Sequence, residues 1–449
     1  MPILDGTCRP RKTDEPGVSC GARTIDTAPN CRASNFEISL PMLNFVHIHK
    51  YRSCTDVRFD NIGRITALIG RNGAGKTNVL KGIEWVAAII SDRAANSPAA
   101  SHRVLRDVEE PGSVTISFAI EGGAYTYFIN KLTRYRRSDD GSVEALEIFK
   151  EELTEHGPRG PVKLLERDNE RVIFGASGTE VAVSTSSSAI AALIALLPES
   201  DSLRPRLDAI REFFAGVIYY PLEQALGGVP RTRIVTAEDF AKWNARPNRF
   251  LLNSVESTIM RVIKLFLENP KKLEELQSLL GDDGLGLVRR IDVQRIETHL
   301  DDSADDAHQD ANGSDEKRYL YFIRFSPCGQ TGFFSFDSLS FGTKRVIQLV
   351  ASMLVDQASV ALIEQPEDGI HPGLLHKLTP LLRTYAEDNQ FILASHAPGV
   401  LDRLEPKEIR LVEMTESGTT VRALSSDELS IAHDYLADDG PLSDFLESL

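Results

Sequence analysis

The sequence predicts an α/β protein: a parallel sheet covered on both faces, joined to an antiparallel β subdomain and a helical insertion. Three observations predict it. After residue 319, strand-like and helix-like stretches alternate in short succession, and that order implies parallel strands with helices on both faces. Residues 113–121, SVTISFAIE, alternate apolar and polar, and AYTYFINKL continues the alternation across Gly122-Gly123, so the two read as a hairpin. Over 237–281, apolar residues recur at helical spacing.

Taken in order, residues 1–34 have no periodicity and are expected to form a disordered leader. LNFVHIHKYRS alternates like a strand, and RITALIG reads as a short buried one. In KTNVLKGIEWVAAIISD, Val79, Leu80, Ile83, Val86, Ala87 and Ile90 share one helical face. The hairpin over 113–132 follows, with Val114, Ile116, Phe118 and Ile120 on one side, then strand-like EALEIFKEEL and RVIFG. Residues 187–216 look helical, broken near Pro198 and Pro205. Residues 237–281 look helical again, with Leu252, Val255, Ile259, Val262, Ile263 and Phe266 on one face and no sustained heptad. Residues 299–318 are acidic with almost no large apolar side chain, and read as a flexible loop. YLYFIRFSP and TGFFSF read as strands, LSFGTKRVIQLVASMLVDQ as a loop entering a helix, SVALIEQPE and QFILASH as buried strands, and GLLHKLTPLLRTYAED as the helix between them. A hairpin and a short polar end complete the tail. The expected divisions are a leader over 1–34, a first half with the antiparallel lobe over 35–225, the insertion over 226–318 and a second half over 319–449.

The 449 residues allow two to three folding units, or one large α/β unit with an insertion. Composition is that of a globular protein, 42% apolar and 26% charged. The longest apolar run, Ala189–Leu197, is too short to span a bilayer, and the amino terminus has no signal-peptide core, so the expectation is a cytoplasmic protein without a membrane segment. A net charge of −15 argues against a broadly basic surface but leaves room for a local DNA-binding groove. The basic run KLTRYRR beside Asp139 and Asp140 reads as a solvated strand end. Cys8, Cys20, Cys31, Cys54 and Cys328 form no CxxC pair and no zinc-knuckle spacing, so free thiols are expected.

Four stretches carry chemistry. GRNGAGKT matches G-x-x-x-x-G-K-[ST] between a predicted strand and a predicted helix, the setting this motif needs. Gly70, Arg71, Asn72, Gly73, Ala74 and Gly75 form a loop whose backbone N–H groups would wrap phosphates, with the helix dipole adding to them. Lys76 would reach the β- and γ-phosphates of ATP, and the Thr77 hydroxyl would ligate Mg²⁺. Chance gives the pattern in roughly one or two chains in a hundred of this size, and the flanking elements lower that. LSFGTKR, 339–345, precedes a helix; alone it is no more than a helix cap. Glu364 ends an apolar strand, where it could hold Mg²⁺ through water or simply turn a corner. His396 follows QFILAS, where it could touch a γ-phosphate or be structural.

In this order the four stretches resemble the ABC-type ATPases, and more narrowly the RecF-like and SMC-like heads and the predicted AAA-type ATPases of bacterial defence and repair systems; the OLD-family nucleases carry a related head. The resemblance covers about 42–225 and 319–402, with LSFGTKR at the signature loop, EQPEDGIHP at the Walker B and D-loops and SHAPGVLD at the switch histidine. It implies a P-loop NTPase with an ABC-ATPase-like head. It also implies a homodimer or higher homo-oligomer, in which Ser340, Gly342 and Lys344 contact the ATP held by the other subunit's Gly70–Thr77 loop.

Two departures from that pattern bear on hydrolysis. The usual aspartate is Glu364, which can still serve Mg²⁺. The usual base position is Gln365, which can orient a water but cannot take its proton. Three readings stay open: slow hydrolysis, Glu367 acting instead, or a glutamate changed to glutamine to trap ATP. The stretch after Asp402 is too short for an acidic nuclease domain, so any cutting of nucleic acid is expected from a separate effector. The reading is an ATPase whose ATP-dependent association regulates that effector in prokaryotic anti-phage defence. The alternatives are a RecF-like repair head that binds DNA and a non-hydrolysing ATP-gated scaffold.

Overall fold

The computed structural model describes residues 40–93, 112–137, 143–221, 234–245, 255–298, 318–438 and 440–448. The expected leader over 1–34 and the acidic stretch over 299–317 lie outside them, as do the side chains of KLTRYRR beyond Lys131.

β1 (Met42–Tyr51) and β2 (Cys54–Asp60) form a hairpin, and β3 (Ile65–Ile69) leads through the glycine-rich loop into α1 (Lys76–Ile90). β4 (Ser113–Ile120) and β5 (Gly123–Arg137) turn through Glu121-Gly122, both at positive φ as a two-residue hairpin loop requires. β6 (Val143–Gly157), β7 (Gly160–Asp168), β8 (Arg171–Phe174) and β9 (Thr179–Ala182) extend this into an eight-stranded antiparallel sheet, β2-β1-β4-β5-β6-β7-β8-β9. Then come α2 (Ala189–Leu196), α3 (Arg204–Ala215) and β10 (Val217–Pro221). Over 234–327 follow β11 (Ile234–Thr236), α4 (Ala237–Asn244), α5 (Val255–Glu268), α6 (Pro270–Leu280), β12 (Val288–Thr298) and β13 (Arg318–Pro327), so the last strand begins where the expected insertion ends. The second half holds α7 (Phe341–Asp356), β14 (Val360–Glu364), α8 (Pro372–Tyr385), β15 (Gln390–Ser395), α9 (Pro398–Leu401), β16 (Ile409–Thr415), β17 (Gly418–Ala423), α10 (Ser426–Asp438) and α11 (Leu442–Glu447).

The site is carried by the six-stranded sheet β10-β14-β15-β3-β16-β17, parallel except for the β16–β17 hairpin. Its central strands are apolar at nearly every position because both faces are covered. Alternation divides them between two cores. Leu68, Val360, Leu362, Ile392 and Ala394 pack with Val79, Leu80, Ile83 and Val86 of α1. Ala67, Ile69, Ala361, Ile363, Phe391 and Leu393 pack on the other face with Val346, Ile347 and Val350 of α7 and Leu375 and Leu378 of α8. All parallel strands therefore end at one edge, beside the glycine-rich loop, and that edge is where such sheets bind ligands.

β16 runs hard against the start of that loop. A Cβ on Gly70 would lie 2.0 Å from the Val412 carbonyl oxygen. Gly70→Ala is therefore expected to cost about 1–3 kcal/mol of stability. A chemical-denaturation midpoint unchanged by this substitution would remove the close approach as the reason for glycine here.

Several elements differ from expectation. Pro205 does not break a helix: it sits in the first turn of α3, where a missing N–H goes unused, and the break is 197–203. Among the described residues the helical stretch 237–281 holds three helices, of which α4 and α6 are capped by the side chains of Thr236 and Asn269; Ile259, Val262 and Ile263 are buried and Phe266 packs against them, while Leu252 lies outside the described residues. The insertion also carries a three-stranded antiparallel sheet, β11-β13-β12. β12 escaped the reading because only Val288 and Ile291 are buried among its polar residues. TGFFSF is not a strand: Phe334 makes a single bridge to Phe325, and Phe336 turns into a short 3-10 segment to bury its ring. The polar tail is two helices, docked by Leu442 and Phe445. No helix among the described residues is long and apolar enough to cross a membrane.

Candidate functional site

Between β3 and α1, the loop turns so that Gly75, at φ 103°, caps α1, and Lys76 and Thr77 open the helix. Lys76 Nζ donates to the carbonyls of Gly70 at 2.6 Å and Arg71 at 3.1 Å. Lys76 is buried, which lowers its pKa; Glu367 and Glu364 oppose that by favouring the ammonium. A buried ammonium whose hydrogen bonds, among the described residues, go to loop carbonyls is a cation placed for an anionic ligand. Asn72, Gly73, Ala74, Gly75, Lys76, Thr77 and Asn78 line a cavity of about 370 Å³, closed by Glu364, Gln365 and Ala394.

Glu364 stands at the carboxyl end of β14 and accepts hydrogen bonds from the Thr77 hydroxyl and the Tyr219 hydroxyl of β10. Burial and the neighbouring Glu364 push the Tyr219 phenol far above its ordinary range, so it acts as a donor. Among the described residues no group of three or more His, Cys, Asp or Glu side chains is placed to hold a metal ion. The Thr77–Glu364 oxygen pair still suits Mg²⁺, which takes one or two protein ligands and keeps waters and phosphate oxygens for the rest.

Gln365 follows in the left-handed region, φ 45°, and its N–H donates to the Ala394 carbonyl of β15 at 2.8 Å. Glu367 is nearly buried: Oε1 accepts from the His396 backbone N–H at 3.0 Å and lies 3.3 Å from His396 Nδ1. Its Oε2 has no hydrogen-bond partner among the described residues. The adjacency of β14 and β15 thus brings Glu364, Gln365, Glu367 and His396 to one edge.

Ser340, Gly342 and Lys344 stand apart. Ser340 caps α7, accepting from the Thr343 N–H at 3.2 Å, and is exposed. Gly342 packs on the turn after β14, where its Cβ would meet the Gly369 carbonyl oxygen at 2.6 Å. None of the three lines the cavity at Gly70–Thr77.

Sequence reasoning missed four contributors. Tyr219 holds Glu364. Thr419 of β17 braces the loop, donating to the Ala74 carbonyl at 2.9 Å and to Ser53 Oγ at 2.7 Å. Ser53 also accepts from Asn78 Nδ2 at 2.8 Å. Arg345 holds the turn after β14. Each comes from an element remote in sequence, and no local pattern pointed to its part in the site.

Sheet order, phosphate loop and strand-end acid together define a P-loop ATPase head of the ABC and SMC-like kind. The chain belongs to the family described as "AAA domain, putative AbiEii toxin, Type IV TA system", whose model matches residues 65–402. No curated protein matches it. Among solved structures it is similar to an Smc head domain with an extended coiled coil bound to the C-terminal domain of ScpA, derived from Pyrococcus furiosus, at 13% identity and a TM-score of 0.43 over 89% of this chain and 100% of that one. It is also similar to the SMC head domain from Thermotoga maritima, at 15% identity and a TM-score of 0.36 over 85% of this chain and 99% of that one.

Proposed function

We propose that this chain binds Mg²⁺ and ATP at Gly70–Thr77, hydrolyses the ATP slowly, and pairs its heads through ATP to control a separate effector in prokaryotic anti-phage defence. The observation that carries this reading is the meeting of the Thr77 hydroxyl and the Glu364 carboxylate beside the buried Lys76 ammonium. The loop N–H groups and the start of α1 bind the phosphates. Lys76 leaves the Gly70 and Arg71 carbonyls for phosphate oxygens, and Thr77 and Glu364 hold the metal. When bound, Mg²⁺ supplies charge neutralisation on those oxygens. Gln365 orients the attacking water, and Glu367, through its unpartnered oxygen, accepts the proton as ADP and phosphate form. His396 holds Glu367 and faces the γ-phosphate.

The position of Ser340, Gly342 and Lys344 outside the cavity of their own chain, with Ser340 exposed and the other two half-buried, supports a composite site completed by a second copy. The family description names a toxin and a toxin–antitoxin system, which supports a defence setting.

The test is ATP turnover by the parent chain, by Gln365→Glu and by Lys76→Ala as the blank, with sedimentation in the presence and absence of ATP. A slow parent rate, a faster Gln365→Glu and an ATP-dependent shift in mass are expected. A parent chain that never turns ATP over but assembles with it is a scaffold. Turnover that rises only with DNA points to a repair head.

A further inference from the structure

The turn that follows β14 is gripped from outside by α7. Arg345, fully buried in the second turn of that helix, donates from Nη2 to the Gln365 carbonyl at 3.1 Å and from Nη1 to Asp368 Oδ2 at 3.0 Å. Phe341, at the start of the same helix, covers the turn's far end: a Cβ on Gly369 would lie 2.2 Å from its ring. The Gln365 N–H is fixed on the opposite side by Ala394. Within the turn, Asp368 N–H donates to the Gln365 carbonyl at 3.1 Å and Ile370 N–H to the Glu367 carbonyl at 3.0 Å. Gln365 occupies a region that non-glycine residues seldom hold unless their surroundings impose it. A rotation of the Gln365 peptide would therefore carry Glu367 with it.

We propose that Arg345 is a positioning residue for hydrolysis: from the helix that bears Ser340, it sets the turn that carries Gln365 and Glu367. The inference rests on the hydrolytic reading above. It ties the loop expected to face a partner's nucleotide to the groups that face the chain's own, through one side chain. A guanidinium is suited to this because its rigid fork serves a carbonyl and a carboxylate at once, and a lysine ammonium has no such fork.

The experiment compares the parent chain with Arg345→Lys and, as a variant altered at a half-exposed position, Asp368→Asn. It measures ATP affinity directly, single-turnover hydrolysis, and amide hydrogen exchange over residues 364–370 without nucleotide. Arg345→Lys is expected to slow hydrolysis at least about tenfold. Its ATP affinity is expected to stay within about twofold, and exchange to quicken in the turn but not in α1. Asp368→Asn keeps the bond to the Gln365 carbonyl and is expected to show a smaller loss of the same kind. A loss expressed in ATP affinity, or exchange in the turn unchanged by Arg345→Lys, overturns the proposal. A parent chain that binds ATP but never cleaves it counts against the hydrolytic reading instead, and the exchange measurement still decides whether Arg345 sets the turn.

Discussion

A Glu367→Gln chain is expected to bind ATP as the parent does and to cleave it at least about a hundredfold more slowly. The argument is one of elimination among the groups that the ends of β14 and β15 bring together. Glu364 already accepts from Thr77 and Tyr219, and on the proposed reading its remaining capacity goes to the metal. Gln365 lines the cavity but is neutral. Glu367 has one oxygen committed to His396 and one buried without a hydrogen-bond partner among the described residues. Such an oxygen is costly to bury and is free to accept a proton. Glutamine at 367 keeps the carbonyl that accepts from the His396 N–H, so the turn survives while the base is lost. Steady-state turnover beside direct nucleotide binding separates the two effects. A Glu367→Gln chain that cleaves ATP near the parent rate would show that the proton goes elsewhere, and Gln365→Glu would then lose its value as a gain-of-function partner.

Local pattern revealed much of the fold. Strands buried on both faces, such as Val360–Glu364 and Gln390–Ser395, show as unbroken apolar runs, and α1 shows as one apolar stripe, because burial alone dictates those choices. β12 and the two terminal helices were not legible. Their apolar residues are few and their outward faces carry most of the sequence, so tertiary contact rather than local pattern fixes them. At the candidate site, the residues supplied by a single loop or strand end were readable from spacing. Tyr219, Thr419 and Arg345 were not, since each reaches the site from an element whose neighbour in space is set by sheet order or helix packing. Gln365 was readable as a departure from a pattern, but its left-handed backbone was not, because a glutamine gives no local sign of positive φ.

Arg261→Met is expected to lower stability by about 3–5 kcal/mol, the cost of leaving a buried carboxylate without its cation. Arg261 of α5 and Asp356, the last residue of α7, are both fully buried, joined by Nε–Oδ1 at 2.8 Å and Nη2–Oδ2 at 2.7 Å. The Tyr220 hydroxyl of β10 donates to the same carboxylate at 3.1 Å. One cluster thus fastens α5, α7 and β10, the edge strand of the parallel sheet. Replacing all three polar groups, as Arg261→Met with Asp356→Leu and Tyr220→Phe, is expected to restore part of the loss, since the carboxylate and the phenol are then removed together with their cation. Urea denaturation of the single and triple variants tests both statements, and a single-variant loss below about 1 kcal/mol would sink the first. The position of the cluster matters as much as its strength. Ser340 and Arg345 lie at one end of α7 and Asp356 at the other, so a loosened Asp356 frees the helix that carries Ser340 and grips the Gln365 turn. The single variant should therefore weaken ATP-dependent pairing at temperatures where it is still folded, whereas a substitution in the antiparallel lobe of equal cost to stability should not.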